Sequence, residues 1–243
     1  MTQQAFADFT TSNYRRLLGM ARDVYRFVQF DDEKPDENAV LWRHDIDFSV
    51  NRALKLARIE QGMDITSTYF VQIGTMFYNV FEEEMRTKLL QILDMGHTVG
   101  LHFNPGLYKP EEVVDGFMFE KEILRHVLDA GIQVFSLHNP DQLSASVDLS
   151  GQTGLINAYD FTDDAGWEYC SDSNGYWRFD PLEEILKTVP PNNLQVLTHP
   201  AWWQDEPMPP RARIKRCAEG RAAATMSSYD KKLRSFGRKN VGK

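Results

Sequence analysis

Cysteine is nearly absent: Cys170 and Cys217 are the two in 243 residues, too few for a disulfide framework. No apolar run approaches the ~20 residues that cross a bilayer. The first 30 residues hold no apolar core of the kind that marks a secretory signal. Together these absences predict a soluble protein of the reducing cytoplasm with no transmembrane segment. Repeats and low-complexity tracts are missing too, so nothing points to a fibrous or disordered chain. Positive charge is scarce over most of the length. From Arg211 onward 11 Lys or Arg face only Glu219 and Asp230, a net of +9, so with −8 overall residues 1 to 210 carry −17. An acidic body argues against nucleic acid as the main ligand, and no base-reading motif accompanies the basic end. The expected organisation is one domain over residues 1 to 210, including an N-terminal helix, then a basic helical tail over 211 to 243 that lies on the acidic body.

What is present is a regular alternation. Residues 12 to 28, SNYRRLLGMARDVYRFV, place Leu17, Leu18, Ala21, Val24, Tyr25 and Val28 at helical spacing behind a Ser or Thr cap. After the polar DDEKPDEN come a strand in AVLW, a helix in SVNRALKLARIEQG ending at Gly62 and a strand in ITSTYFVQI. A helix in FEEEMRTKLLQILDMG ends at Gly96, a strand follows in HTVGLHF, a helix in PEEVVDGFMFEKEILRHVLDAG ends at Gly131, and IQVFSLH is a fourth strand. Each glycine stands where a helix C-terminus favours a left-handed residue. Strict alternation implies parallel strands joined by helical crossovers, in a wound sheet or a barrel. Beyond His138, NPDQLSASVDLSGQTGLINAYD reads as a long loop of the kind that shapes a site. A strand at Trp167 to Ser171, a helix from Pro181 to Val189 and the strand LQVLTH, residues 194 to 199, complete the pattern.

Four of the six histidines, His44, His102, His138 and His199, fall at the ends of expected strands; His97 opens one and His126 lies within a helix. Loops converge over the core at the carboxyl ends of parallel strands. Asp45, Asp47, His102, His138 and His199 are therefore expected to approach one another. Each also has a structural reading: a histidine at a strand end is often a hydrogen-bonded core residue, and Asp47, followed by Phe48 and Ser49, is a natural turn former or helix cap. Three histidines or carboxylates with an open position describe a catalytic divalent-metal site. An oxygen and nitrogen donor set without thiolate suits zinc, iron, cobalt, nickel or manganese in a catalytic role and argues against a structural zinc. A cation also explains why the strand ends in RHDID, since Asp47 beside it is compensated. Asp45, two positions away, projects to the same side and is placed to take a proton from an attacking water acidified by the metal.

RHDID, GHTVGLH and LTHPAWW, spread over residues 38 to 203, resemble the polysaccharide deacetylase family, the NodB-homology or carbohydrate esterase family 4 superfamily, and more closely its intracellular-type branch. The resemblance implies Asp45 as general base, Asp47 and His102 as metal ligands and His199 as general acid. In that family a second metal histidine follows the first by four residues; here that position is Gly106. The nearest substitute by topology is His138, where LHNP stands in place of an Arg-x-Pro motif, so the implied ligand set is Asp47, His102 and His138. With the family's arginine missing, Arg43 or Arg178 is expected to orient Asp45. YCSDSNGYW resembles the family's pocket-lining Asp and Trp motif. From it Asp172 is expected to hold His199 in its tautomer, and Trp177 and Trp203 to offer flat faces to a sugar ring beside Arg43 and Arg178; core packing and turn chemistry are the alternative.

The resemblance implies a deformed (β/α) barrel of about seven strands and metal-assisted hydrolysis, with zinc first among the metals, of an N- or O-acyl group, acetyl or formyl, from a sugar. The expected substrate is an intracellular precursor of surface polysaccharide, nucleotide-linked or lipid-linked. Two rivals stand beside this reading. One is a related fold that has lost catalysis and binds a carbohydrate or a partner; the other is metal-dependent hydrolysis of a different ester, amide or phosphoester.

Overall fold

The computed structural model describes residues 3–32, 38–140, 147–162, 165–178, 180–188 and 193–242. Thr10 caps the first helix, α1 (Thr11–Arg22), by accepting from the Asn13 N–H at 3.3 Å. The helix expected over residues 12 to 28 is therefore shorter than its periodicity suggests. Asp23 ends it, and Arg26–Val28 forms β1, which pairs in parallel with Ala39–Leu41. Aromatic and β-branched Phe27 and Val28 suit that extended segment.

Strand and helix then alternate: β2 (Ala39–Ile46), α2 (Val50–Gln61), β3 (Thr68–Val71), α3 (Glu83–Asp94), β4 (Thr98–Phe103), α4 (Val113–Leu128) and β5 (Val134–Leu137). The stretch expected as a loop after His138 is more ordered than its composition implies. Its residues 141–146 lie outside the described residues, and the rest contains α5 (Leu149–Thr153) and β6 (Ile156–Asn157). β7 (Trp167–Ser171), α6 (Leu182–Lys187), β8 (Asn193–Thr198) and α7 (Pro210–Ser235) follow. The strands join in the order β6-β5-β4-β3-β2-β8-β7, with β1 beside β2, and every pair is parallel. This all-parallel sheet curls into a half-barrel flanked by helices, ending at β6 on one side and β7 on the other. The deformed (β/α) barrel expected from the motifs is the architecture observed.

β2 is longer than the four apolar residues AVLW, and all eight of its residues are buried. Alternation along a strand explains how it carries charge. Leu41 packs with Phe70 and Val134 in the concave interior, so Arg43 and Asp45 face that interior as well, while Trp42 belongs to the layer under α1 and α6. His44 points with Trp42 into the helix layer and away from the rim. Its Nε2 donates to Glu60 Oε1 at 2.8 Å and its Nδ1 meets Thr198 Oγ1 at 2.7 Å. Glu60 also accepts from Tyr14, from Ser67 Oγ at 2.5 Å and from the Tyr69 hydroxyl at 2.7 Å. His97 borders this network as a neutral ring, because the Ser67 backbone N–H donates to its Nδ1 at 3.2 Å and its Nε2 donates to Ala57 O at 3.1 Å.

Gly96 takes the left-handed conformation expected of it, φ 88°. Gly62 does not, with φ −65°. At the end of α4 the left-handed residue is Asp129, φ 51°, because the helix stops before the expected Gly131; a short polar side chain tolerates that region. Gly100 of β4 has a different reason. A Cβ there would stand 2.6 Å from the Phe70 ring and 2.7 Å from Val134 O, so only hydrogen fits between β3 and β5 inside the curl.

The basic helix α7 lies on the body only in its first part. Arg213 is buried, with its guanidinium 4.9 Å from the Phe9 ring. Arg216 Nη1 donates to Gln204 Oε1 at 2.8 Å, and Arg221 makes two bonds of 2.5 Å to the Glu82 carboxylate. From Ala222 to Tyr229 every residue is exposed, although Ala224, Thr225 and Ser228 still border a cavity beside Glu82. Among the described residues no helix is long and apolar enough to cross a membrane.

Candidate metal centre

Asp47 is the first residue past the end of β2. It is not the cap of the next helix: Ser49 is, accepting from the Arg52 N–H at 3.2 Å, which leaves the Asp47 carboxylate for other work. The tight connection is held from the β3–α3 side, where the Tyr78 hydroxyl donates to Ile46 O at 2.6 Å and Thr75 Oγ1 to Asp47 O at 3.2 Å. His102 comes from the end of β4. His138 directly follows β5, and its backbone N–H donates to Phe103 O at 2.7 Å.

These three side chains meet. Asp47 Oδ1 lies 3.0 Å from His102 Nε2 and 3.3 Å from His138 Nδ1, and the two ring nitrogens are 3.2 Å apart. One ligand atom from each falls within 4.8 Å of the others. Although two imidazole nitrogens are this near, Asp47 Oδ1 is buried and without a hydrogen-bond partner. Burial works to raise the Asp47 pKa, but His102 and His138, with His199 beyond them, hold it well below the usual carboxylate range. An ionised oxygen with no donor aimed at it, facing two imidazoles, fits a divalent cation.

Ser136, which sequence reasoning missed, settles the state of His102. Its hydroxyl donates to Asp45 Oδ1 at 3.2 Å, and His102 Nδ1 lies 2.7 Å from that hydroxyl's own oxygen, Ser136 Oγ. A carboxylate only accepts, so the single hydroxyl proton goes to Asp45 and Nδ1–H of His102 donates to Ser136, which leaves Nε2 as the nitrogen that would face a cation beside Asp47. The missed signal was parity: Ser136 sits two residues before His138 in FSLH and so shares its face. Asn139, also missed, meets His138 Nε2 through its side-chain amide at 3.0 Å. Ser136→Ala is expected to weaken metal binding about 10- to 100-fold, read by titrating zinc into the metal-stripped protein; unchanged affinity would remove Ser136 from this role.

Of the two arginines considered for Asp45, Arg43 is the one beside it. It is wholly buried, its Nη2 is 3.7 Å from Asp45 Oδ2, and its guanidinium lies 4.6 Å from the Tyr159 ring and 5.7 Å from Phe70. Burial works against its charge, yet Asp45 and Tyr159 leave its pKa raised. So buried a side chain cannot touch a sugar, and the expectation that Arg43 binds substrate is corrected. Arg178 is exposed beyond β7, where its backbone N–H donates to Ser171 O at 3.1 Å.

His199 follows β8 on the opposite flank, with Nε2 3.8 Å from Asp47 Oδ2. Its Nδ1 donates to Asp172 Oδ1 at 2.7 Å, and Asp172 also accepts from the His199 backbone N–H at 2.9 Å and from Trp203 Nε1 at 2.9 Å. Burial alone would depress the His199 pKa, but the Asp172 bond and the charges of Asp172, Asp47 and Asp45 lift it to about 9. Trp203 is fully buried against Tyr14, Phe9 and Trp177, at centroid distances of 4.8, 5.3 and 6.0 Å. It has no free face for a ring, which corrects that expectation. Trp177 is half-buried beside Phe9. A cavity of about 690 Å³ lies between the N-termini of α2 and α3 and helix α7; Phe48, Arg52, Glu82, Arg216, Arg221 and Ser228 line it, and none of Asp47, His102, His138 and His199 does.

The curled parallel sheet and the histidine–carboxylate cluster at its carboxyl rim make this an α/β protein with a candidate hydrolytic metal centre. No protein family and no curated protein matches the chain. Among solved structures it is similar to a chitin deacetylase from the fungal pathogen Colletotrichum lindemuthianum, at 14% identity and a TM-score of 0.48 over 75% of this chain and 81% of that one. It is also similar to a family 4 carbohydrate esterase from Bacillus anthracis, at 14% identity and TM-score 0.46 over 93% and 87% of the two chains. A third is a mutant, with restored enzymatic activity, of a family 4 pseudoenzyme from Bacillus anthracis, at 13% identity and TM-score 0.47 over 85% of this chain. This chain spans 66% of that one, just under two thirds.

Proposed function

We propose that the chain is a divalent-metal-dependent hydrolase that removes an N- or O-acyl group, acetyl or formyl, from a sugar. The observation that carries this reading is the meeting of Asp47, His102 and His138 within 4.8 Å, between a carboxylate held for proton uptake and an imidazolium held for proton release. A cation held by those three residues, zinc first and iron, cobalt, nickel or manganese after it, supplies polarisation of the acyl carbonyl and a more acidic attacking water.

The remaining work belongs to the chain's own groups. Asp45, fixed by Ser136 on one oxygen and Arg43 on the other, is the base that takes the water's proton. His199, with its pKa at about 9, holds a proton at neutral pH and gives it from Nε2 to the departing nitrogen or oxygen. Asp172 keeps Nδ1 engaged so that Nε2 is the end that reacts. On the motif resemblance, the half-buried Trp177 offers the sugar an apolar edge to rest on. On the motif resemblance we place the substrate among cytoplasmic precursors of surface polysaccharide, nucleotide-linked or lipid-linked.

The test is elemental analysis of the purified chain together with a panel of N-acetyl sugars, N-formyl sugars and phosphoesters. About one divalent ion per chain, lost in Asp47→Ala, is expected, with acyl release and no phosphate release. Protein that purifies with little metal, and whose carbohydrate binding is indifferent to Asp47→Ala, is a binding protein on this fold and overturns the reading.

A further inference from the structure

Helix α7 is tied to the body by Arg221, borders the cavity beside Glu82 as far as Ser228, and is exposed from Ala222 to Tyr229. Fourteen residues, 222 to 235, continue the helix, a reach of about 21 Å at 1.5 Å per residue. Isolated helices of about this length are marginal in water. Yet this one carries Met226, Tyr229 and Phe236 exposed at 61%, 54% and 64%, with Leu233 half-buried between them. Positions 226, 229, 233 and 236 fall on one stripe at alternating spacings of three and four, and Lys231 lies on the opposite face with Lys232 and Arg234 on its flanks. From Ala222 to the end of the sequence six Lys or Arg face Asp230 alone.

We infer that this free half of α7 is a docking surface for an anionic lipid bilayer. An apolar stripe flanked by cations is the pattern that lies in a membrane interface, with its ring and thioether side chains below the headgroups and its ammonium groups among them. Charge decides against a second copy of the same helix. Pairing two such stripes would bring the flanking Lys232 and Arg234 of each segment together without acidic partners, and the stripe spans two heptads, short of the three or four that sustain a coiled coil. The inference holds whatever the metal centre does, so its failure leaves the hydrolase reading standing.

The test is co-sedimentation of the full chain with vesicles of phosphatidylcholine alone and of phosphatidylcholine with roughly one-third phosphatidylglycerol. Binding is expected on the anionic vesicles only, weakened at least about 10-fold in ~0.5 M salt. The triple variant Met226→Ser, Tyr229→Ser, Phe236→Ser should melt like the parent, because these side chains are exposed, and bind at least about 10-fold more weakly. Absence of binding by the parent, equal binding to neutral vesicles or a triple variant that binds as well as the parent overturns the inference. So does light scattering that finds a dimer which the triple variant breaks, since the stripe then belongs to a second copy.

Discussion

Asp45→Asn is expected to keep its metal and lose turnover by about 10²- to 10⁴-fold, the usual effect of removing a positioned base. The substitution is nearly isosteric, and Asn can still accept from Ser136, so His102 should keep its tautomer and the ion its ligands. What disappears is the capacity to take a proton. The same change leaves Arg43 buried without its counter-charge, a situation that costs up to about 3–5 kcal/mol in comparable buried pairs. Circular dichroism and metal content must therefore be measured alongside acyl release. A folded, metal-loaded Asp45→Asn protein with parental turnover removes Asp45 from the role of base. Asp47→Ala should differ in kind by losing the ion itself.

Glu60→Gln should be the most destabilising single change outside the site. The carboxylate accepts from Tyr14, His44, Ser67 and Tyr69 with no solvent access. An amide turns two N–H donors toward hydroxyls that are already donating, and breaking a buried charged network of this kind costs about 3–5 kcal/mol. For a chain of this size that is a fall of about 6–20 °C in Tm. The pH dependence follows with a definite sign. Burial works to raise the Glu60 pKa, but His44 and the hydroxyl donors bring it down to about 2 from the ordinary 4.5. A depressed carboxyl stabilises the fold above its unfolded value and loses that contribution as pH falls from about 4.5 toward 2, about 3 kcal/mol in all. His97, pushed below its ordinary 6.5 by burial, acts in the same direction from higher pH, since acid protonates the unfolded ring first. Urea melts at pH 7 and pH 4 should show a stability gap that narrows in Glu60→Gln; an equal gap in both proteins would show that Glu60 is not the acid-sensitive group.

Most of the architecture was legible because hydrophobic period changes abruptly between two and 3.6 along residues 39 to 138, with turn residues at the joints. The errors have physical causes. β2 was cut at Trp42 because charge in a strand reads as its end, whereas Arg43 and Asp45 neutralise each other inside the curl. His44 was noted at a strand end but left out of the converging set, and parity with Trp42 assigns it to the helix layer. Trp203 was read as a sugar platform because tryptophan near a site is ambiguous until burial is known; its ring closes the core and its N–H serves Asp172. The gathering of Asp45, Asp47, His102, His138 and His199 at one rim was readable from strand ends. Ser136 was missed because a small hydroxyl residue in an apolar strand draws no notice by its type; only its parity with His138 marks the face it shares.

The floor beneath this site rests on an atom that is not there. The bare backbone of Gly100 admits the Phe70 ring, and the Arg43 guanidinium lies over that ring. A methyl group at position 100 would act as a wedge, splaying β3 from β5 and moving the cation that steadies Asp45. Fine tuning of acidity at the mouth is thus inherited from a steric vacancy two layers down, and directed evolution of new substrates would be better aimed at the loops than at the strands that carry them.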